Sequence, residues 1–319
     1  DKKVFTYELG NTGWEEGDVI IPGDTITATP IFGTDVSYDD KLAISYIRGD
    51  GSRFQYLGGI QIEDELEIKD DRYGIGMKLI GDTASSGYII GEDEVFFQYW
   101  INPINGVGDF GTSESITNSR LFDSVLSNNN QLSVIGDGLK LQLYLNSTVD
   151  TDVILGGTSD ISTPITCLSM YSPEDDLFSI AVARYNGNNT STIYIVNYMH
   201  GVGVIDTDVA TSESVPGRVY TISYNDTLLA IGTSTASPYQ DEDVINAYFE
   251  GPASNDSSAA YIYRKFNVDE YFKPVSDLCA DGWVVKLSDD RKYVAVGNPS
   301  PPTAEEDDSI NIIDLSYLE

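Results

Sequence analysis

The sequence predicts an all-β fold, a β-propeller of about six four-stranded blades, from a phrase that recurs along the chain and from the spacing at which it recurs. The phrase is a strand, an acidic turn and a second strand of small apolar residues. It is clearest from Phe32 through Asp39-Asp40 to Leu42-Ala43-Ile44, from Val219 through Asn225-Asp226 to Leu229-Ala230-Ile231-Gly232, and from Val284 through Asp289-Asp290 to Val294-Ala295-Val296-Gly297. Weaker copies occupy 124–136 and 168–181, and a degenerate one surrounds Tyr88-Ile89-Ile90-Gly91. The second strands begin near residues 42, 88, 132, 178, 229 and 294, in steps of 46, 44, 46, 51 and 65. Several short strands per unit at that spacing are what one radial sheet per repeat requires.

Taken in order, the chain opens with a strand at 4–9, then Trp14, then Val19-Ile20-Ile21. Repeat units follow near 26–70, 71–115, 116–160, 161–212, 213–275 and 276–319, so that one propeller domain accounts for all 319 residues. In each unit an apolar run enters a turn of Asp, Asn, Gly or Ser, the residues that tolerate the backbone angles of a hairpin. No window carries a helical period with start and stop signals. The last unit runs out after about three strands, at 310–315. The N-terminal strand, through Val4, Phe5, Tyr7 and Leu9, is therefore expected to close the C-terminal blade and remove two sheet edges. A seventh, irregular blade built from the termini is the rival count.

Phe32-Gly33-Thr34 with Val36-Ser37, a short turn and Leu42-Ala43-Ile44 resembles the FG-GAP repeat of integrin-α-type β-propellers, and 294–299 resembles its second strand and following loop. Ala260-Tyr261-Ile262-Tyr263 and 309–313 are similar to its third strand. The resemblance is good in three units, partial in two and poor around 75–110. It implies an extracellular interaction platform, with Ca²⁺ often held in Asp-x-Asp-x-Asp-Gly loops. No loop of that form stands in this sequence.

Fifty-one acidic residues against 18 basic give a net charge of −33. That balance excludes nucleic acid and anionic lipid surfaces as partners, because both are recognised through a basic face. No apolar run reaches the roughly 18 residues of a membrane span, so no membrane insertion is expected. The chain opens on Asp1 rather than Met, as expected of a chain that has lost a leader or of a fragment. Five sequons, at Asn146, Asn188, Asn189, Asn225 and Asn255, suit a secreted glycoprotein. Cys167 and Cys279, assigned to units two apart, read as two separate buried thiols rather than a disulfide.

The acidic runs containing Asp241 and Asp243, and Glu306, Asp307 and Asp308, fall between second and third strands and are the candidate Ca²⁺ ligands. They lack the alternating spacing and mid-loop Gly that wrap a cation, and solvated charge is the blander reading. Arg48-Gly49-Asp50 spells an adhesion tripeptide, but the blander reading, a hairpin turn at Asp50-Gly51 with Arg48 and Arg53 there for solubility, is preferred. His200 is the single histidine, so a Ser–His–Asp triad, a Cys–His pair or a zinc site could form only around it. Nothing else marks a catalytic group, and the chain reads as a non-enzymatic extracellular or particle-surface protein that binds a protein partner, glycans or itself. The insertions at 232–259 and 298–308, with Tyr239, Tyr248 and Phe249, are the expected contact surface. Donation of the N-terminal strand to a neighbouring copy would build a filament or surface layer. The alternative is a secreted carbohydrate-active propeller enzyme, glycosidase-like, acting through paired carboxylates.

Overall fold

A computed structural model describes the strands between residues 4 and 115 by their backbone, the strands and part of their side chains between 121 and 155, and then 164–236, Pro252, 257–267, 270–288, 290–298 and 309–318. No α-helix occurs among the described residues. The chain divides into two compact units, Asp1–Asn118 and Ser119–Glu319.

The first unit holds a hairpin and two sheets. β1 (Val4–Gly10) pairs with β2 (Gly13–Ile20), from Val4 opposite Ile20 to Gly10 opposite Gly13. β3 (Ile31–Val36), β4 (Leu42–Ile47), β5 (Arg53–Gly58) and β6 (Glu65–Ile68) form an antiparallel meander, hydrogen-bonded in chain order. β7 (Arg72–Ile80), β8 (Ala84–Gly91), β9 (Val95–Ile101) and β10 (Gly108–Ser115) form the next.

The second unit continues the pattern. β11 (Leu121–Ser127), β12 (Asn130–Gly136), β13 (Lys140–Leu145) and β14 (Thr148–Ile154) make the third sheet. The fourth comprises β15 (Ile165–Glu174), β16 (Leu177–Tyr185), β17 (Thr190–Met199) and β18 (Gly203–Val209), with the two-residue β19 (Val215–Pro216) also on β17. The fifth is β20 (Arg218–Asn225), β21 (Leu228–Ser234), β22 (Ser258–Arg264) and β23 (Lys273–Ala280). The sixth has three strands among the described residues, β24 (Val284–Leu287), β25 (Tyr293–Asn298) and β26 (Ser309–Asp314).

Val4, Phe5, Tyr7 and Leu9 lie on β1, whose ladder within the first unit is with β2. Cys279 falls elsewhere than expected: it is on β23 of the fifth sheet, because the fourth strand of that sheet runs to Ala280. Cys167 is buried on β15.

Three apolar cores lie between successive sheets of the second unit. Leu132, Leu141 and Leu143 of the third sheet pack on Phe178, Ile180 and Val196 of the fourth. Ala181, Ile193 and Ile195 of the fourth meet Val219, Leu229 and Ile231 of the fifth. Ala230 and Ile262 of the fifth meet Val285, Val294 and Val296 of the sixth. The second strands β16 and β21 are therefore covered on both faces, with every residue of β21 buried. That explains why Phe178-Ser179-Ile180-Ala181 and Leu228-Leu229-Ala230-Ile231 read as continuous small apolar runs instead of alternating ones.

Side chains on the first strands tie the sheets together. The Asp123 carboxylate on β11 accepts from the Met170 amide on β15 (2.8 Å), and Ser169 Oγ on β15 accepts from the Tyr224 amide on β20 (3.2 Å). Thr221 Oγ1 and Ser223 Oγ on β20 accept from the Val285 and Leu287 amides on β24, each at 3.0 Å. A first strand has no ladder partner on its inner side, so its amides need such acceptors.

Candidate functional site

The acidic turns of the recurring phrase meet at one end of the fourth, fifth and sixth sheets. Asp176, Asp226 and Arg291 occupy these turns with left-handed φ values of 62°, 38° and 64°. Asp tolerates that region better than most residues, whereas Arg291 is held there by its partners. Its guanidinium donates to the Tyr171 hydroxyl (2.8 Å) and lies 3.9 Å from the Asp226 carboxylate. Tyr171 stands edge-on to Tyr224 with ring centroids 6.3 Å apart. The Tyr224 hydroxyl is 3.1 Å from Ser179 Oγ, which donates to Asn197 Oδ1 (2.8 Å), and Asn197 Nδ2 donates to Asp206 Oδ1 (2.7 Å). The chain of contacts thus runs from the sixth sheet to the outer strand of the fourth.

Burial pushes the Tyr224 phenol up to about 12 from its usual 10.0, with the nearby Asp226 and Tyr171 adding to the shift. The folded state then keeps this proton to higher pH than the unfolded chain does. Its stabilising contribution is intact below pH 10 and is lost as pH rises towards about 12. Tyr224→Phe is expected to flatten that alkaline loss by up to about 2 kcal/mol, read from urea unfolding at pH 9 to 12. An unchanged alkaline slope would show that Tyr224 is not shielded as described.

The expected site residues fall as follows. Tyr239, Tyr248 and Phe249, the acidic candidates Asp241, Asp243, Glu306, Asp307 and Asp308, the sequons at Asn146 and Asn255, and Arg48-Gly49-Asp50 lie outside the described residues. Asn188 and Asn189 are exposed in the β16–β17 turn, where Thr190 Oγ1 donates to Asn188 Oδ1 (2.7 Å). Asn225, the sequon in the turn of the fifth sheet, is 7% exposed at the end of β20, with its amide oxygen buried. His200 is exposed in the β17–β18 turn, 3.8 Å from the Asp176 carboxylate. No group of three His, Cys, Asp or Glu suited to a metal ion occurs among the described residues.

The feature that best fits an interaction surface lies on the outer strand of the fourth sheet and the connection beside it. Val202, Ile205 and Val209 are 70%, 47% and 42% exposed on and before β18, and Phe266 and Tyr271, in the β22–β23 connection, are 61% and 55% exposed. Isolated exposed apolar side chains are ordinary, but Val209 and Tyr271 line one cleft, and Ile205 and Val202 lie further back along the same outer strand and the turn before it. Each end of β18 borders a hollow. At its start, Asp150 and Thr151 of β14 face 201–204 across about 520 Å³. At its end, Thr207, Asp208 and Val209 face Lys265, Glu270 and Tyr271 across about 600 Å³, over a floor of Ile195, Ala210 and Phe272.

Sequence reasoning placed the contact surface on the long loops and missed this rim. A signal was present. The stretch 264–273 interleaves Phe266, Tyr271 and Phe272 with five charged residues, and β18 carries apolar residues on both faces although it is an outer strand.

No family model matches the chain, and no curated protein matches it. Among solved structures, the β-propeller domain of the Trilobed protease from Pyrococcus furiosus, described as having an open velcro topology, superposes with a TM-score of 0.54 at 10% identity. That match covers 90% of this chain and 83% of the other. Saccharomyces cerevisiae Sqt1 matches with a TM-score of 0.54 at 10% identity, over 96% of this chain and 78% of its own. The chain is a β-propeller. An oligogalacturonate lyase solved in complex with manganese also matches, with a TM-score of 0.51 at 10% identity over 90% and 78% of the two chains. Propellers of this shape therefore occur both in a lyase and as part of a protease, and at this identity the likeness carries the fold alone.

Proposed function

We propose that this propeller is a secreted or particle-surface, non-enzymatic interaction protein that associates with itself through the rim of its fourth and fifth sheets. The observation that carries the reading is the exposure of Val202, Ile205 and Val209 along one outer strand and the turn before it, with Phe266 and Tyr271 in the connection that meets its end. The FG-GAP-like phrase and the acidic composition support the extracellular setting. In this reading β1 and the long loops serve as further contact elements, and Ca²⁺ on the acidic loops is an accessory.

Net charge opposes self-association and makes it salt-dependent. At −33 per chain, two copies repel each other strongly at low ionic strength. The screening length falls from about 8 Å at 0.15 M salt to about 3 Å at 1 M, while apolar contacts persist. Light scattering is expected to give the monomer mass at low salt and a rising mass above about 1 M NaCl, with Ile205→Asp monomeric throughout. A wild-type chain that stays monomeric across the series sinks the reading.

A second reading, a carbohydrate-active enzyme, is favoured by one observation: Asp208 and Glu270 share a cleft. Such an enzyme needs one carboxyl kept protonated near neutrality. Glu270 runs the other way, because Asn267 and Lys273 hydrogen-bond its carboxylate and hold its pKa below the usual range. The non-enzymatic reading stands first for that reason.

A further inference from the structure

We propose that the 600 Å³ cleft between β18 and the β22–β23 connection is a binding site for a short neutral oligosaccharide of two or three rings. The proposal rests on the rim being a contact surface, and it names the chemistry of one ligand there. It does not need the rim to self-associate.

A sugar ring has two kinds of surface. Its C–H face is apolar and flat, and its edge carries hydroxyls that both donate and accept. A site for it needs an exposed flat apolar group beside fixed polar groups of both kinds. The cleft supplies the first in Tyr271 and Val209, 55% and 42% exposed at the mouth, above the buried Phe272 and Ile195. Tyrosine suits this role because one end is apolar and the other carries a hydroxyl.

The polar groups are already held in place. Asn197 is fixed on one side by Ser179, which donates to its Oδ1, and on the other by Asp206, which accepts from its Nδ2. One amide proton and one lone pair remain for a ligand. The Glu270 carboxylate is gripped by Asn267 Nδ2 at 2.9 Å and Lys273 Nζ at 3.0 Å. The Lys265 ammonium sits over the Phe272 ring, 5.9 Å from its centroid. Thr207 and Asp208 complete the wall. Groups immobilised before binding spare the ligand their ordering entropy, which is what a weakly hydrophobic polyol requires. The volume lies in the range of small-molecule pockets.

Charge selects among saccharides. Asp208 and Glu270 are balanced in the wall by Lys265 and by Lys273 on Glu270, so the cleft offers no net charge to hold a charged sugar, and the acidic chain around it disfavours anionic ones. The ionised state of Glu270 also makes it an acceptor of hydroxyl protons and not a proton donor to a glycosidic oxygen.

The test is titration calorimetry on the monomer at low salt with cellotriose, maltotriose and triacetylchitotriose, and with trigalacturonate and trilysine as charged probes. At least one neutral trisaccharide is expected to bind with a Kd between about 10 μM and 1 mM. Tyr271→Ala is expected to weaken that binding about tenfold or more, and Asp208→Asn about threefold, with melting temperatures unchanged because both side chains are exposed. The proposal is overturned if no neutral trisaccharide binds, if binding survives Tyr271→Ala, or if only trigalacturonate or trilysine binds. Because the measurement is made on the monomer, a failure here is separate from a failure of salt-driven self-association.

Discussion

Phe178→Ala is expected to lower the stability of the second unit by about 3–5 kcal/mol, and so to reduce its melting temperature by about 6–20 °C. Phe178 is fully buried on β16, in the core where the third and fourth sheets meet. Its ring lies 6.2 Å from that of Tyr198, and Leu132, Leu141 and Leu143 stand among the side chains of the same core. Truncation removes the apolar transfer energy of the ring and leaves a cavity that two sheets, each pinned by its own ladder, cannot close. The control is Phe266→Ala, which removes the same ring from a position 61% exposed and is expected to change stability by less than about 0.5 kcal/mol. Equal losses from the two variants, measured by urea unfolding, would mean that the third and fourth sheets do not share this core.

Gly232→Ala is expected to cost about 3 kcal/mol, at the upper end of overpacking. A Cβ on Gly232 would run into the backbone carbonyl of Trp283, in the approach to β24, and would come within 2.7 Å of Thr221 Oγ1. Thr221 is the side chain that accepts from Val285 and donates to the Trp283 carbonyl. Neither neighbour has room to give, because one is backbone and the other links the fifth and sixth sheets. Gly201→Ala is the comparison: its φ of +76° is strained for alanine, but nothing lies within 4 Å of the added atom. That variant is expected to cost only about 1–2 kcal/mol, from the backbone alone. If Gly232→Ala melts with the wild type, the fifth and sixth sheets are farther apart than described.

Much of the fold was legible. The three clear copies of the phrase fall on the first two strands of their sheets, β3–β4, β20–β21 and β24–β25. Their acidic turns are local hairpins, and hairpin chemistry depends on residues a few positions apart, which sequence exposes directly. The Gly at the end of the second strand was visible as part of the phrase, but its role at 232 was not. That role depends on Trp283, and no local rule links two residues so far apart in the chain. The first-strand acceptors Ser169, Thr221 and Ser223 are equally silent in sequence, because serine and threonine are at home in any strand or turn.

The candidate site was less legible. Loop length drew attention to Tyr239, Tyr248 and Phe249, whereas the described rim uses β18 and a shorter connection. Exposure decides contact surfaces, and exposure of Ile205 or Tyr271 follows from what fails to cover them. Asn225 shows the reverse: a sequon in a predicted turn whose side chain the neighbouring strands bury.

What this sequence determined by itself is the architecture of the repeat: all-β, one hairpin-led unit about every 45 residues, with small apolar second strands and acidic turns. Those features come from short-range backbone preferences and from the apolar periodicity of strands covered on both faces. Tertiary structure alone decided which serine and threonine hydroxyls bridge sheets, and where a cleft forms. Each of those depends on groups far apart in sequence, brought together only when the sheets pack and water is excluded from between them.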